Sequence, residues 1–525
     1  MKFDCLNRRS PPPLPDGRGS ELDVRNTTAV HWYIHDLKPR FAQYGAFGLL
    51  AAVLLAYSQT RAFHWDEGFH LLAARLIGAG QRPYLDFIFA QTPLNAYWTA
   101  AWFGVFGASW RLAHVVATLS TLGSAALLAR YLWMRFPVPE WRPYATLTAA
   151  ALYGLLTYTV DFGTIAQAYG FCLLMVVAAF CAAVAARERP GLWMPALAGA
   201  LAGAAASASL LTVAAAPAML VWLWLYNAAG RRWAKAAAFL GGAVVPAIPV
   251  LRLLAQGPRQ VWFDLVQYHA LYRRVDWAGA TIHDIDVLSS WLQDTQVFLL
   301  IGLAVAGWMS IRKSDWAGMR MESRLCLWLV LAMGAQNMTA HPTFPQYFIF
   351  LVPFLAVPAV EGFRAAVLRL GFGGRPQRAV LALGCFMLLS LGRGLFTERD
   401  NETWHGLMPA AEKINQVAPR DAPVLAQEPL YILTGRRPPD GMEFTFAHKL
   451  DLGPKQNALL HILPQAELDR EMKAGRFAAA AVCDDDDQES NIEDSKVYSR
   501  KFESGNCTVF WQLAAAGAAK PPMVK

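Results

Sequence analysis

Residues 164–186 read TIAQAYGFCLLMVVAAFCAAVAA, a run without a single charged side chain. Because a helix needs about 20 mostly apolar residues to cross a bilayer, this run predicts a membrane-spanning helix. Similar runs recur along the 525-residue chain, which is 55% apolar and only 16% charged, with a mean hydropathy of +0.27. Soluble domains carry about 25% charged residues. The composition therefore indicates an integral membrane protein rather than a string of soluble domains.

About eleven such runs are present, with approximate bounds 41–57, 110–131, 144–160, 164–186, 192–207, 210–226, 233–254, 291–308, 325–337, 347–360 and 380–396. Basic residues concentrate in alternate connecting segments, for example Arg187 and Arg189, whereas the short segments near Asp161 and His341 contain none. This asymmetry is the positive-inside pattern. It predicts a multi-pass protein of the cytoplasmic (inner) membrane with a cytoplasmic N-terminus. The formal charge of +8 thus follows from membrane topology, and we expect no nucleic-acid partner.

The chain divides into three predicted regions: a flexible cytoplasmic tail (1–40), an all-α membrane domain (41–396) and a small extracytoplasmic α/β domain (397–525). The last region contains short apolar runs separated by polar helical stretches, at Pro423–Ala426, Tyr431–Leu433, Phe477–Cys483 and Cys507–Leu513. Such runs are typical of short strands. In an oxidising compartment Cys483 and Cys507 could form a disulfide; two free thiols are the alternative.

Polar residues collect in the loop after the first span, at about 58–110. It contains Phe63-His64-Trp65-Asp66-Glu67, then an apolar-periodic helix, and is half apolar throughout. We therefore expect the loop to lie along the membrane interface as two short helices. Asp66 and Glu67 fall near the start of the first helix, where the helix dipole favours a carboxylate. One interpretation of Asp66 is a plain N-terminal cap.

The motifs of this loop support another interpretation. Asp66-Glu67, the turn Gly80-Gln81-Arg82-Pro83-Tyr84-Leu85-Asp86-Phe87 and the stretch Gln91-Thr92-Pro93-Leu94-Asn95-Ala96-Tyr97-Trp98 resemble the first outer loop of GT-C glycosyltransferases. The resemblance is to the bacterial branch that includes the lipid A aminoarabinose transferase, the lipopolysaccharide-core galacturonosyltransferases and relatives of the protein O-mannosyltransferases. It implies an inverting cell-envelope enzyme that moves a hexose or pentose from a polyprenyl-phosphate carrier to an acceptor hydroxyl, on a lipid or glycan, at the outer face of the membrane.

The resemblance also implies that Asp66 is the catalytic base. An inverting transfer needs a carboxylate to take a proton from the acceptor hydroxyl. The leaving group is already an anionic lipid phosphate, so the paired general acid of glycoside hydrolysis is not required. Asp161 resembles the second acidic position of the family, with a cap of the next helix as the alternative, and Glu67 completes the candidate catalytic set.

Candidate substrate-binding residues follow from the same comparison. Where relatives carry Glu-Lys-Pro-Pro this chain has Gln91-Thr92-Pro93-Leu94, so the donor phosphate needs other basic groups. Arginine forks suit phosphate, which favours Arg82 and the Arg273-Arg274 pair; surface anchoring is the alternative for the pair. The remaining candidates are aromatic and polar residues of the outer loops: Tyr84, Asp86, Gln91, Tyr268, His269, His341, Gln346 and Tyr347.

We expect no obligatory cofactor. A divalent metal is the weaker possibility. His64, Glu67, His70 and His341 could serve as ligands, since Glu67 and His70 share one helical face at i, i+3, but no second Cys/His pair supports such a site. Two other functions stay open at this stage: a flippase or polymerase of lipid-linked oligosaccharides, and a non-catalytic membrane scaffold. The near absence of charge within the spans disfavours translocation.

Overall fold

The computed structural model of the protein describes the backbone of residues 24–64, 66–228, 230–272, 277–397 and 404–513. The chain forms two compact units, Met1–Ala46 and Phe47–Lys525, and the second holds every site discussed below. Helix α1 (Val24–Thr60) begins well before residue 41, the predicted start of the first span, so residues 24–40 of the predicted tail are helical. The rest of that tail, residues 1–23, lies outside the described residues. Extending an existing helix costs far less than nucleating one, and this allows less apolar residues to join it.

Helical segments lie in all eleven predicted apolar runs. Helices α1 to α18 are Val24–Thr60, Glu67–Gly78, Leu94–Phe106, Trp110–Arg135, Arg142–Gly154, Thr157–Phe162, Tyr169–Glu188, Trp193–Ala208, Ala215–Tyr226, Arg232–Val244, Ile248–Gln256, Pro258–Trp262, Tyr268–Tyr272, Trp277–Gln293, Thr295–Lys313, Ala317–Thr339, Val352–Arg369 and Pro376–Thr397.

Among the described residues, six helical stretches are long and apolar enough to cross a membrane: Trp110–Arg135, Tyr169–Glu188, Arg232–Gln256, Thr295–Lys313, Pro345–Arg369 and Pro376–Thr397. Two shorter apolar helical stretches, Trp193–Ala208 and Leu210–Tyr226, accompany them. The prediction of a multi-pass membrane protein is confirmed.

One predicted span is broken. The run 144–160 forms α5 and α6, separated at Leu155 and Leu156, and the next helix begins only at Tyr169. The buried Gln296 side chain accepts from the Thr157 N–H (2.7 Å) and donates to the Leu155 carbonyl (3.0 Å). Backbone polar groups inside a membrane protein need such partners. The break is therefore stabilised by a side chain from α15, a contact that local sequence does not reveal.

Small residues let two of the membrane helices approach closely. A Cβ atom at Gly307 of α15 would lie 1.8 Å from the Pro358 carbonyl oxygen, and one at Gly362 of α17 would lie 1.9 Å from the Leu303 carbonyl oxygen. Lipid provides no hydrophobic driving force between helices, so close backbone contact between small residues is a main source of their association. This pair positions α17, whose preceding turn reaches the candidate site.

The C-terminal region is the predicted small α/β domain. Helices α19 to α23 are Trp404–Val417, Glu428–Thr434, Pro454–Leu459, Gln465–Lys473 and Asp486–Ser495, and strands β1 to β4 are Val424–Leu425, Ala479–Cys483, Tyr498–Ser504 and Cys507–Leu513. The strand order is β1-β2-β4-β3, with β1 and β2 parallel and the other pairs antiparallel. A disulfide joins Cys483 to Cys507, which are directly paired in the β2–β4 register. Residues Tyr431–Leu433 are helical rather than extended.

A continuous core of buried apolar side chains joins this domain to α2 and the loop after it. The Phe69 and Phe444 rings meet edge to face with centroids 4.9 Å apart. At the same boundary, a Cβ atom at Gly68 would lie only 2.6 Å from the Pro429 side chain. The start of α2, which carries Asp66 and Glu67, therefore packs directly against the start of α20.

Candidate active site

Asp66 is the N-cap residue of α2, but its carboxylate makes no cap hydrogen bond. Nor does any other described residue form a hydrogen bond or an ion pair with it. The N-cap interpretation therefore accounts for its position and not for its side chain. A half-buried carboxylate without a protein partner is available to a ligand.

Burial, and then the neighbouring carboxyl of Glu428 at the start of α20, raise the pKa of Asp66 from 3.8 to about 6. Glu428 is itself buried; it accepts from the Thr445 N–H at 2.7 Å, and burial raises its pKa as well. Tyr169 of α7 lies within electrostatic range of Asp66 and beside Gln346 and Tyr347. Two membrane segments and the C-terminal domain thus meet at this carboxylate.

Glu67 differs from its neighbour, because protein groups occupy both of its carboxylate oxygens. Oε1 contacts the His114 ring and accepts from the Ala166 N–H at 3.0 Å, while Oε2 accepts from the His64 N–H at 3.2 Å. Burial alone would raise the pKa of Glu67, but the charge of His114 and these hydrogen bonds outweigh it and lower the pKa. The other ring nitrogen of His114 bonds the Ser58 carbonyl. Glu67 therefore ties α2 to α1 and α4.

Asp161, on α6, is buried and paired. It forms an ion pair with Arg61 and accepts from the Tyr57 hydroxyl at 2.9 Å. Arg61 also donates to the Tyr57 hydroxyl at 2.8 Å. Tyr57 and Arg61 follow one another by four residues at the end of α1, so they present one face to Asp161. This arrangement neutralises Asp161, in contrast to Asp66.

Contacts between residues of the same segment stabilise the predicted turn after α2. Arg82 and Asp86 form an i, i+4 ion pair at 2.7 Å, so the charge of Arg82 is already matched. The buried Tyr84 donates its hydroxyl to the Gln91 carbonyl at 2.7 Å. From the segment between α12 and α13, the Asp264 carboxylate accepts from the Phe89 N–H at 2.9 Å.

The remaining predicted binding residues fall into three groups. Tyr268 is buried and lies against Phe444 of the C-terminal domain, and His269 bonds the carbonyl of Ala90, which follows the turn, at 3.0 Å. Both ring nitrogens of His341 are occupied, one by Asp284 at 2.6 Å and one by the Trp277 carbonyl at 3.2 Å. Arg273 and Arg274 lie outside the described residues.

Comparison with known proteins decides the fold. No protein-family model matches the sequence, and no curated protein matches it. The structure superposes on crystal structures of ArnT from Cupriavidus metallidurans at 13% sequence identity. For the form bound to undecaprenyl phosphate, the TM-score is 0.66 over 90% of this chain and 98% of that chain. For the apo form, it is 0.65 over 92% and 98%. The chain has the GT-C fold.

Several buried polar atoms around this end of the GT-C bundle have no protein partner among the described residues: His64 Nδ1, His70 Nδ1, Thr92 Oγ1, Trp98 Nε1 and Gln167 Nε2. Unsatisfied buried groups are rare because each costs about 1–3 kcal/mol. His64 and His70 flank Asp66 along the chain. Donors and acceptors of this kind suit a hydroxyl-rich or phosphate-bearing ligand.

Glu67 and His70, the two residues considered together as metal ligands, do not belong to a group of three or more ligand side chains among the described residues. In that part of the chain, the one group of three acidic side chains close enough to share a cation is Glu489, Glu493 and Glu503, in the C-terminal domain. Lys501 forms ion pairs with two of these residues, at 2.7 Å and 2.6 Å, which accounts for the cluster. Glu67 directs its oxygens to protein groups instead.

Sequence reasoning missed two residues of the site. Glu428 is one of many acids in a polar region, and no motif marks it. His114 lies one turn into an apolar span, and an ionisable residue in such a position is itself a signal of function or pairing. That signal was present in the sequence, whereas the approach of Glu428 to Asp66 depends on how the C-terminal domain packs.

Proposed function

We propose that the protein is an inverting glycosyltransferase. It transfers a sugar from a polyprenyl-phosphate carrier to an acceptor hydroxyl at the outer face of the cytoplasmic membrane. Two observations support the donor class. The chain shares its fold over nearly its whole length with ArnT, and that protein was crystallised with undecaprenyl phosphate. The loop motifs resemble those of enzymes that use such donors.

The free carboxylate of Asp66 carries the proposal. Asp66 is the acid at this end of the bundle that neither caps its helix nor pairs with a described residue, whereas Glu67 and Asp161 are both engaged. A base works best when its pKa lies near the working pH. The pKa of about 6 leaves Asp66 mostly ionised at neutral pH yet able to accept a proton.

In the proposed reaction, an Asp66 carboxylate oxygen takes the proton of the acceptor hydroxyl. The hydroxyl oxygen forms a bond to the anomeric carbon from the face opposite the phosphate. The bond between the anomeric carbon and the phosphate oxygen breaks, and its electron pair leaves with the polyprenyl phosphate. Asp66 then releases its proton to water. No second acid is needed, since the departing phosphate is a stable anion.

The other candidate residues receive supporting roles in this proposal. Glu67 positions the start of α2 through His114 and the Ala166 N–H, which orients Asp66. Asp161 and Arg61 hold the end of α1 against α6. We assign contacts with the substrate to Gln346 and Tyr347, because both lie beside Tyr169, which is within electrostatic range of Asp66.

The test is sugar transfer by Asp66→Asn in proteoliposomes. Replacing the base with an amide should lower turnover by about 10²–10⁴-fold, the usual contribution of general base catalysis. The readout is release of polyprenyl phosphate from a panel of polyprenyl-phosphate sugars, with membrane extract as the source of acceptor. Asp286→Asn is the matched control, because Asp286 is an exposed acid on α14 without an ion pair among the described residues.

Asp66 would be removed from the mechanism if Asp66→Asn turned over within a few fold of the wild-type protein and unfolded at the same temperature. A scaffold would consume no donor in any variant. A flippase would move the intact donor across the bilayer without releasing polyprenyl phosphate, so the same preparation distinguishes all three functions.

A further inference from the structure

A cavity that Asp66 does not line lies beside α2. It has a volume of about 730 Å³ and is enclosed by the end of α1, the middle of α2, the start of α4 and two helices of the C-terminal domain. Neither Asp66, Glu428 nor Asp161 lines it. The lining residues that matter below are Arg75, Ala108, Ser109, Trp110, Arg111 and Trp404.

The two arginines make this cavity cationic. Neither Arg75 nor Arg111 forms an ion pair with an acid of the described residues. Arg75 is half-buried and donates to the carbonyl oxygens of Tyr431, at 2.8 Å, and Arg436. Its planar fork has further N–H groups that these carbonyls do not use. A cation removed from water without a counter-charge is costly, and an anionic ligand would remove that cost.

Arg111 is more exposed and only loosely held. Its guanidinium lies over the Trp110 ring, 4.4 Å from the centroid, and donates to the Gln59 carbonyl at a long 3.4 Å. Ser109 precedes α4 and makes no cap hydrogen bond, so its hydroxyl is also available. The cavity thus offers three side chains with donor N–H or O–H groups beyond those that bond the described residues, and two of the three carry positive charge.

The surroundings of the cavity are those of a membrane interface. Its floor includes Gln59 and Thr60, at the end of the membrane helix α1, and Arg111, in the first turn of the spanning helix α4. The Trp110 and Trp404 rings lie 4.7 Å apart at the same level. Tryptophan concentrates where lipid headgroups meet hydrocarbon.

An exposed apolar strip adjoins the cavity. Val105 and Phe106, at the end of α3, are 73% and 65% exposed, and Met408, which lines the cavity, is 40% exposed. Large side chains with this exposure are stable where they face lipid rather than water. A ligand with its charged end in the cavity could therefore extend its apolar part along these residues.

We propose that this cavity binds the headgroup of an anionic, phosphate-bearing lipid, with the acyl chains lying along Val105 and Phe106. The volume is in the usual range for small-molecule sites, about 300–1,000 Å³. Arg75 and Arg111 meet the phosphate oxygens through bidentate forks. The site is distinct from the proposed catalytic site and does not depend on the sugar-transfer function.

The experiment measures binding of fluorescent short-chain phosphatidylglycerol to the purified full-length protein in neutral detergent, with zwitterionic phosphatidylcholine as comparator. Arg111→Glu should weaken phosphatidylglycerol binding about tenfold or more, because one charge-assisted contact is lost and a repulsion replaces it. An acid is favourable in the first turn of a helix, so this variant should keep its fold. Ala108→Trp fills the cavity without changing its charge and should weaken binding too.

Arg259→Glu is the charge-matched control, since Arg259 is exposed on α12 and outside the cavity; it should bind as the unchanged protein does. Millimolar inorganic phosphate should displace no more lipid than sodium chloride of equal ionic strength. If phosphate displaced the lipid completely, the cavity would be a site for a free anion and not for a lipid headgroup, and the proposal would be overturned. Equal affinity for the two lipids, or unchanged binding by both Arg111→Glu and Ala108→Trp, would overturn it as well.

Discussion

The pH dependence of turnover tests whether Asp66 and Glu428 act together. The perturbation is Glu428→Gln, which removes one carboxyl group while keeping the oxygen that accepts from the Thr445 N–H. In the unchanged protein, burial and Glu428 together raise the pKa of Asp66 to about 6. A base must be deprotonated to act, so kcat/KM should fall as the pH drops through 6.

The size of the effect follows from that pKa. The ionised fraction of Asp66 is about nine-tenths at pH 7 and slightly under one-tenth at pH 5, so kcat/KM should fall roughly tenfold between them. Removing Glu428 takes away a like charge and lowers the pKa of Asp66, but burial remains. The midpoint of Glu428→Gln should therefore lie between 3.8 and about 6, and this variant should keep a larger share of its activity at pH 5.

The assay is release of polyprenyl phosphate in proteoliposomes between pH 4.5 and 8, with membrane integrity checked at each pH. Glu443→Gln is the control. Burial raises the pKa of Glu443 to about 7, yet it is not among the groups acting on Asp66, so its removal should leave the midpoint near 6. A flat profile from pH 5 to 8 would contradict the assignment of Asp66 as base. Equal midpoints for Glu428→Gln and the unchanged protein would contradict the role of Glu428.

Two further predictions concern stability. Gly68→Ala should destabilise the packing of α2 on α20 by about 1–3 kcal/mol, because the new Cβ meets Pro429. Gly78→Ala, on the same helix, is the control: its Cβ meets nothing within 4 Å and should not lower the thermal unfolding temperature. An unchanged unfolding temperature in Gly68→Ala would show that this boundary can relax. Replacing both Cys483 and Cys507 with serine should reduce the stability of the C-terminal domain by roughly 3 kcal/mol, since the bridge closes a loop of 24 residues. A denaturant midpoint equal to that of the bridged protein would be inconsistent with this estimate.

Much of the fold was predictable because lipid imposes a strong rule. A helix satisfies its backbone hydrogen bonds internally, so a long apolar helix can cross the bilayer. Long apolar runs such as 164–186 can therefore be recognised in the sequence. The small C-terminal sheet was predictable in part: β2 and β4 are short apolar runs. Strand β3, with the sequence YSRKFES, is mostly polar and was missed, because its side chains are largely exposed at the edge of the sheet.

Single residues of the candidate site were less predictable than the loop that carries them. The motif around Asp66 predicted the loop that carries the candidate acids. The sequence could not show that His114 and Ala166 would engage Glu67 while Asp66 formed no hydrogen bond or ion pair with a described residue. Likewise, the helix break at Leu155 depends on Gln296, which lies some 140 residues later in the chain.

The sequence by itself determined that the protein lies in a membrane. It also determined the approximate positions of the helices and of the loop that contains Asp66 and Glu67. Each of these depends on the composition of a short segment. Tertiary structure alone decided which acids are paired, and which acids and cations have no oppositely charged partner among the described residues. Those states depend on groups that meet from distant segments, as Glu428 meets Asp66 and as Arg75 and Arg111 meet at one cavity. Burial and partner charges set the electrostatics of a carboxylate, and neither is a property of its neighbours in sequence.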